Sequence, residues 1–255
     1  WAYRLPSFIF LLLALYATCR FAQLKYNQTV AQLAVLILAS CQAFFLIAHD
    51  VRTDTMLMGW VALSIWFIAK WEDSDTWSDF ILAMMAIAGG MMTKGPIALV
   101  VPVLAFAPQW FFEKKWSYFF KPIYLVGILV IGILLIPMSW GLYQQYDLHP
   151  GKLINNIPIQ SGLKFYYWTQ SFGRYTGENY YHEMSYPTFL LENMLWSFLP
   201  WIFIFLWAFL AKMVTIAKEG LFKVHVERIS FFGFFLTYLV LSRSQAQLPH
   251  YIFVV

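Results

Sequence analysis

The stretch VAQLAVLILASCQAFFLIAHDVRTDTMLMGWVALSIWFIAKW, residues 30–71, contains two long apolar runs separated by the short polar segment HDVRTDT. A helix needs about 20 apolar residues to cross roughly 30 Å of hydrocarbon, and each run approaches that length. The pattern predicts two membrane-spanning helices joined at the membrane surface. The polar segment carries more ionisable side chains than such a connector needs, so it is the first candidate for a functional site.

The composition of the whole chain agrees with this interpretation. Hydrophobic residues make up 61% of the 255 positions and charged residues 12%, against about 25% charged residues in soluble domains. The mean hydropathy of +0.62 also favours the membrane class. The net charge of +4 is small and scattered along the chain, which argues against nucleic-acid binding.

We therefore predict an all-α fold, a polytopic bundle of about eight transmembrane helices. It forms a single domain over residues 1–255 and is a piece of a longer membrane protein, incomplete at both ends. A further apolar run begins at Tyr251. Near residues 93–96 the motif TKGP predicts a tight hairpin, because glycine permits a sharp reversal and proline starts a new helix. The eight predicted spans cover about 5–22, 29–48, 55–71, 78–93, 96–112, 122–142, 187–211 and 229–242.

The connectors between these runs differ in their basic residues. Ten of the 17 Lys and Arg residues fall on the side that follows the first run, and seven on the other side. An excess of Lys and Arg marks the cytoplasmic side of a membrane. The segment HDVRTDT is therefore expected to face outward. The acidic stretch WEDSDTWSD, residues 71–79, is expected to be an exposed connector on the cytoplasmic side.

Single cations recur at the outward ends of the predicted helices. Arg52, Lys94, Arg174 and Arg243 come from separate connectors. Each one alone is explained by a lipid head group or a local ion pair. Together they favour an anionic ligand such as a phosphate or diphosphate, for which arginine offers a two-pronged hydrogen-bond donor.

Two carboxylates flank Arg52 in the opening stretch. Asp50 and Asp54 are candidate catalytic groups, since a carboxylate at a membrane boundary can be a general base, a metal ligand or a partner of arginine. We expect Arg52 to be the partner of Asp54. Asp54 could also cap the helix that follows it, although Thr53 or Thr55 could do the same.

The segment 143–186 is predicted to be an outward loop rich in aromatic residues, with an interfacial helix near residues 162–175. Aromatic side chains among polar groups suit a sugar or an isoprenoid chain. Glu178 and His182 are candidate substrate-binding residues, and their four-residue spacing would also suit a metal on a helix. Two ligands do not complete a metal site, so a divalent metal cofactor stays an open question. Glu192 lies within an apolar run and is expected to pair with a cation or to line a cavity.

Several short motifs occur in an order that resembles one family. They are YRLPS (3–7), RTD (52–54), TKGP (93–96), FGRYTGE (172–178), FLPW (198–201) and SRSQAQLPHYI (242–252). This order resembles the bacterial lipid-linked sugar transferases related to aminoarabinose transferase and to the protein O-mannosyltransferases, in the GT-C glycosyltransferase superfamily. The resemblance spans nearly the whole chain.

The resemblance implies an enzyme of the bacterial plasma membrane with an outward-facing active site. It would move a sugar from a polyprenyl-phosphate carrier to a lipid, glycan or protein acceptor. Asp54 matches the family's acidic residue in the second outward loop. Lys94, Arg174 and Arg243 would lie near the carrier phosphate, and Tyr251 belongs to the family signature LP-x-Y. The family's main catalytic aspartate would lie upstream of Trp1.

The chain departs from the family pattern at two places. Gln170 and Ser171 stand where aminoarabinose transferases carry a histidine in a Glu–His context, and Gln247 stands where the family often has lysine.

Two other functions stay open at this stage, a membrane transporter and a structural subunit of a membrane complex. Transporters place ionisable groups near the membrane midplane, whereas the ionisable groups here cluster at one face.

Overall fold

The computed structural model describes residues 2–149, 151–154, 157–176, 178, 186, 188–219, 227–244 and 247–254. Its first half is a series of helices that pass back and forth between two ends of a bundle. We call these the Asp54 end and the Glu72 end, after the buried carboxylate found at each. The helices are α1 (Leu5–Lys25), α2 (Gln28–Ser40), α3 (Gln42–His49), α4 (Thr53–Ser74), α5 (Trp77–Lys94), α6 (Ile97–Phe112) and α7 (Ile123–Leu142).

The second half begins with irregular structure at the Asp54 end and then returns to the bundle. A small antiparallel hairpin pairs Lys152 with Ile159, which the all-helical prediction did not include. The elements are β1 (Lys152–Ile154), β2 (Ile157–Ile159), α8 (Gly162–Lys164) with a π-helical turn (Phe165–Thr169), α9 (Gly173–Thr176), α10 (Phe189–Ser197), α11 (Ile202–Glu219), α12 (Ile229–Ser242) and a 3-10 helix (Pro249–Val254).

The predicted spans correspond to helices, with two exceptions. The run 29–48 is two helices, α2 and α3, and the run 187–211 is two helices, α10 and α11, bent by 120° around Pro200. The apolar run predicted from Tyr251 begins within a 3-10 helix, Pro249–Val254. By length and composition, the described residues contain two helices able to cross a membrane, or up to four when each bent pair counts as one. The count of eight spans stays a prediction.

The bundle contains two broken helix pairs, and their breaks contact each other. Helices α2 and α3 are bent by 58° at Cys41, where the sequence has neither glycine nor proline. The backbone N–H of Gln42 donates to the carbonyl of Leu199 (2.9 Å) in the break between α10 and α11. The indole N–H of Trp201 donates to Ser40 Oγ (2.8 Å). Backbone groups that lose their helical hydrogen bonds inside a membrane need other partners. Each break therefore supplies hydrogen-bond partners to the other.

Helices α4 and α5 form the centre of the bundle, with α1 on one side and α6 and α7 on the other. Helices α1 and α4 pack closely, because a Cβ atom added at Gly59 would lie 2.8 Å from the carbonyl oxygen of Phe10. At the Glu72 end, the buried indole of Trp71 packs against Phe80 and Tyr118 at centroid distances of 5.0 and 5.6 Å. Aromatic pairs at such distances stabilise a core beyond their buried area.

The acidic stretch 71–79 is exposed over residues 73–78, as the sequence predicted, but Glu72 and Asp79 depart from that prediction. The side chain of Glu72 is only 6% exposed and accepts from Lys25 Nζ (3.3 Å) and Lys115 Nζ (3.0 Å). Asp79 is also buried and accepts from Lys70 Nζ (2.8 Å). The prediction failed for these two residues because it treated the acidic residues as one solvated segment, whereas α4 and α5 turn two of them toward lysines of the neighbouring elements.

Candidate functional site

The candidate site lies at the Asp54 end, where α4 begins and α5 ends. Asp54 occupies the first turn of α4 and is only 3% exposed. Its Oδ1 atom accepts from the Nζ of Lys94, in the last turn of α5. A carboxylate at a helix N-terminus and a cation at a C-terminus each interact favourably with the helix dipole. Because α4 and α5 run antiparallel, these two favourable positions meet.

The partner of Arg52 is not Asp54, as the sequence predicted, but Asp50. Arg52 Nε pairs with Asp50 Oδ2, and both side chains are nearly half exposed. The hydrogen bond from Arg52 holds the pKa of Asp50 below its usual value. Asp54 does not cap α4 either, because Arg52 occupies the cap position without a side-chain cap. Lys94 takes the place that the prediction gave to Arg52, since it reaches Asp54 from the facing helix.

Sequence reasoning missed His250, which lies between these two ion pairs. Its Nδ1 atom lies 3.0 Å from Arg52 NH1, and its Nε2 atom lies 3.9 Å from Asp54 Oδ2. The 3-10 helix that starts at Pro249 brings the imidazole across the start of α4. The family signature LP-x-Y leaves the position of His250 unspecified, so the motif LPHY led to a prediction for Tyr251 and none for the histidine beside it.

Tyr251 is buried beside the Asp54–Lys94 pair. The ammonium of Lys94 lies 4.8 Å from the centroid of its ring, within the range of a cation–π interaction. Lys94 is therefore held by a carboxylate on one side and an aromatic face on the other. The structure thus places Tyr251 next to Lys94, one of the cations predicted to bind phosphate. The functional role of Tyr251 stays a prediction.

A cavity of about 310 Å³ opens beside Lys94. That volume is at the lower end of the range found for small-molecule sites. Most of its lining residues are apolar or aromatic, and Lys94 is the charged residue among them. The apolar and aromatic lining residues include Leu57, Ile97, Val100, Phe165, Phe172 and Leu241, and those with polar groups include Thr93, Lys94, Gln170, Ser171, Ser244 and Tyr251.

The aromatic segment near residues 162–175 forms part of the wall of this cavity. Tyr166 donates to the carbonyls of Met91 and Met92 in α5 (2.9 Å each), and Tyr175 donates to the carbonyl of Val240 in α12 (2.9 Å). Burial raises the pKa of Tyr166 to about 12, so its hydroxyl is a neutral donor at physiological pH. The helix predicted near residues 162–175 is thus confirmed as a mostly helical segment, which contains a π-helical turn and an ordinary turn. This segment links α5 to α12 across the cavity.

The remaining predicted site residues are not brought to Asp54 in the same way. The guanidinium of Arg243 is exposed at the end of α12, and among the described residues it has no hydrogen-bond or ion-pair partner. Glu178 is exposed, with its Oε2 atom 4.0 Å from Lys164 Nζ. Arg174 belongs to α9, but its side chain lies outside the described part of the structure, as does all of His182.

Two further expectations concern metals and Glu192. Within the described ranges, no three His, Cys, Asp or Glu side chains come together as a metal site, and His182 lies outside those ranges.

Glu192 is exposed and accepts from Tyr186 Oη (2.7 Å) and Thr188 Oγ1 (2.9 Å). The prediction that Glu192 pairs with a cation is therefore wrong. Its carboxylate oxygens accept hydrogen bonds from hydroxyl groups of its own segment instead.

The fold and the site together define a polytopic α-helical membrane protein with a cavity lined in part by a cation. A family model described as dolichyl-phosphate-mannose-protein mannosyltransferase matches residues 1–140. The chain belongs to this family. The match covers α1 to α6 and most of α7, and it includes Asp54 and Lys94.

Curated relatives point the same way. The chain is 27% identical over 208 residues to an undecaprenyl phosphate-alpha-4-amino-4-deoxy-L-arabinose arabinosyl transferase 2 of Pseudomonas fluorescens (strain Pf0-1), covering 78% of this chain and 33% of that protein. It is 25% identical over 181 residues to the corresponding transferase of Enterobacter sp. (strain 638), covering 69% and 30%. The chain thus spans about a third of the length of these relatives.

A solved structure has the same fold. The crystal structure of ArnT from Cupriavidus metallidurans bound to undecaprenyl phosphate superposes with a TM-score of 0.79 at 18% identity, over 100% of this chain and 44% of that one. The same protein in the apo state gives a TM-score of 0.76. These matches confirm the predicted fold class and the predicted resemblance.

Proposed function

We propose that the complete protein is a glycosyltransferase that moves a sugar from a polyprenyl-phosphate carrier to a lipid, glycan or protein acceptor. The observation that carries this proposal is the cavity beside Lys94, which combines that cation with mostly apolar and aromatic walls. A lipid-linked sugar phosphate has the complementary features, an anionic head and an apolar chain. The names of the curated relatives support the same substrate class.

In the proposed reaction, a carboxylate takes the proton of the acceptor hydroxyl, and the acceptor oxygen attacks the anomeric carbon of the sugar. The bond between that carbon and the phosphate oxygen breaks, and its electron pair leaves with the polyprenyl phosphate. Positive side chains stabilise the charge that builds on this leaving group. We assign that role to Lys94, Arg174 and Arg243.

The role that we propose for Asp54 rests on its ion pair with Lys94. The Oδ1 atom of Asp54 already accepts from Lys94 Nζ, so this carboxylate is engaged in holding the cation. We therefore propose that Asp54 orients Lys94 and the acceptor, with Asp50 and Arg52 holding the loop in place. The main base is then a carboxylate elsewhere in the complete protein. Glu178, His182 and Tyr251 stay proposed as contacts to the substrate.

We further propose that the protein lies in the bacterial plasma membrane with the Asp54 end facing outward. The lower number of Lys and Arg residues in the connectors of this end supports that orientation. The four lysines that pair with Glu72, Asp73, Asp75 and Asp79 all lie at the opposite end. In that orientation the substrates would meet on the outer face of the membrane.

The test is a transfer assay with the complete protein in proteoliposomes that contain a polyprenyl-phosphate-linked sugar. Lys94→Met should lower the release of polyprenyl phosphate by about 100-fold, the usual cost of removing one transition-state donor. Lys152→Met is the matched control, because Lys152 is exposed on β1, and it should keep wild-type activity. Wild-type activity in Lys94→Met would contradict the proposed phosphate site. Movement of the sugar lipid without bond cleavage would instead indicate a transporter.

A further inference from the structure

His250 has a defined hydrogen-bonding state because of its neighbour Arg52. A guanidinium carries only donors and stays protonated in proteins. Since Arg52 NH1 lies 3.0 Å from His250 Nδ1, the Nδ1 atom must accept. An imidazole that accepts at Nδ1 carries its proton on Nε2 and is neutral. The contact with Arg52 thus selects one tautomer of His250.

The protonated nitrogen of this tautomer faces Asp54. His250 Nε2 lies 3.9 Å from Asp54 Oδ2, while Oδ1 of the same carboxylate accepts from Lys94. A hydrogen bond between nitrogen and oxygen spans up to about 3.2 Å, so a shift of about 0.7 Å would make one. The two oxygens of Asp54 thus face two different donors, one from α5 and one from the 3-10 helix.

Asp50 completes a chain of contacts that ends at Asp54. The Asp50 carboxylate pairs with Arg52 Nε, and Arg52 NH1 in turn contacts the ring of His250. The order is therefore Asp50, Arg52, His250, Asp54. Outer groups that fix the tautomer of a histidine commonly set how that histidine acts on its next partner.

We propose that His250 is a positioning residue for Asp54. Arg52 holds it as the neutral Nε2–H tautomer, and the Nε2–H group orients the second oxygen of the Asp54 carboxylate. This proposal goes beyond the roles given above to the predicted site residues. Its activity arm rests on the proposed glycosyltransferase function, whereas its spectroscopic arm does not.

The spectroscopic arm measures the tautomer directly. The complete protein is labelled with 15N-histidine in lipid bilayers, and the signals of His250 are assigned from the spectrum of His250→Phe. At neutral pH we expect a non-protonated Nδ1 and a protonated Nε2, and Arg52→Ala should give a mixture of tautomers. A proton on Nδ1, or an unchanged spectrum in Arg52→Ala, would overturn the proposal.

The activity arm compares three variants in the proteoliposome assay. His250→Phe should lower kcat about tenfold, equivalent to about 1.4 kcal/mol in the barrier, with little change in the KM for the donor, because Asp54 loses the group that orients its second oxygen. His250→Gln, whose amide N–H can replace the Nε2–H group, should recover most of that loss. His49→Phe is the matched control and should keep the wild-type kcat, because the His49 ring at the end of α3 contacts the Phe45 carbonyl (2.8 Å).

The outcomes separate the two proposals. An unchanged kcat in His250→Phe, or a His250→Gln variant as slow as His250→Phe, would contradict the positioning role. A wild-type protein without transfer activity would contradict the proposed function instead. In that case the tautomer spectrum still decides whether Arg52 and Asp54 hold His250 as inferred.

Discussion

Asp54 and Lys94 form an ion pair whose two members differ in exposure. The side chain of Asp54 is 4% exposed and that of Lys94 is 26% exposed. A charge left alone at a buried position costs far more than the intact pair contributes. The pair therefore has a structural role in addition to the proposed functional one, and stability and activity should be measured separately.

At this residue scale we expect Asp54→Asn to lower the free energy of unfolding by about 3 kcal/mol, because Lys94 loses its partner in a largely buried site. Thermal unfolding in detergent would measure this. The double variant Asp54→Asn with Lys94→Met should regain part of the loss while staying inactive. Asp50→Asn, in a nearly half-exposed pair, should cost less than about 1 kcal/mol. Equal losses for Asp54→Asn and Asp50→Asn would contradict the buried-pair interpretation.

At the scale of elements, the turn between α5 and α6 places Lys94. Gly95 has φ +79° and ψ −158°, a region open to almost no residue except glycine. A Cβ atom there would also lie 3.3 Å from Ser171 Oγ in the segment that lines the cavity. The hairpin predicted from TKGP is confirmed, and its backbone conformation at Gly95 is the reason that glycine is required there.

We expect Gly95→Ala to lower the free energy of unfolding by about 1–3 kcal/mol, the usual cost of such a backbone conformation. Gly132→Ala is the matched control, because nothing lies within 4 Å of a Cβ atom at this position in α7. It should leave stability unchanged or raise it by up to about 1 kcal/mol, as alanine is the better helix former. Thermal unfolding curves of equal midpoint for Gly95→Ala and wild type would refute the strain argument.

At the scale of the whole molecule, a buried charge cluster ties together the Glu72 end. Glu72 is 6% exposed and accepts from Lys25, Lys115 and the indole of Trp110 (3.2 Å). These donors belong to α1, to α6 and to the segment after α6. One carboxylate at the end of α4 thus connects three parts of the bundle.

We expect Glu72→Gln to lower the free energy of unfolding by about 1.5–3 kcal/mol, because charged hydrogen bonds are lost, while Lys25 keeps Asp73 and Lys115 keeps Glu113 (2.8 Å each). Asp73→Asn is its neighbour control. Asp73 also pairs with Lys25 (2.8 Å), but its side chain is 43% exposed, so the loss should stay below about 1 kcal/mol. Chemical unfolding followed by tryptophan fluorescence would compare the two. Similar effects of both changes would mean that the cluster is solvated.

The proposed orientation of the molecule has its own test. Single cysteines at Val51 and Ser117, two exposed positions at opposite ends, would be introduced after Cys19 and Cys41 are replaced. A membrane-impermeant maleimide should label the cysteine at position 51 in sealed spheroplasts and reach position 117 only after lysis. The reverse pattern would place the Asp54 end in the cytoplasm and contradict the proposed outward site.

Local sequence was sufficient for those features that depend on neighbouring residues. The apolar runs became helices because length and hydropathy are properties of each run alone. Asp54 and Lys94 were singled out because each is an ionisable residue at the end of an apolar run. Their pairing was not found, because it depends on the antiparallel contact of α4 with α5 across 40 positions. His250 was missed for the same reason, since its partners lie about 200 positions away.

Composition, local pattern and motif order were enough to predict the membrane class, the helical fold, the TKGP turn and the family. The pairing of Arg52 with Asp50 and of Lys94 with Asp54, and the position of His250 between these pairs, became visible in the folded bundle alone. The break at Cys41 depends on packing as well, because the Leu199 carbonyl of a distant segment accepts from the freed N–H of Gln42 and Trp201 donates to Ser40 Oγ. The physical reason is common to all of these. Each charge or backbone group takes the partner that packing brings within hydrogen-bonding distance, and packing is set by the whole bundle.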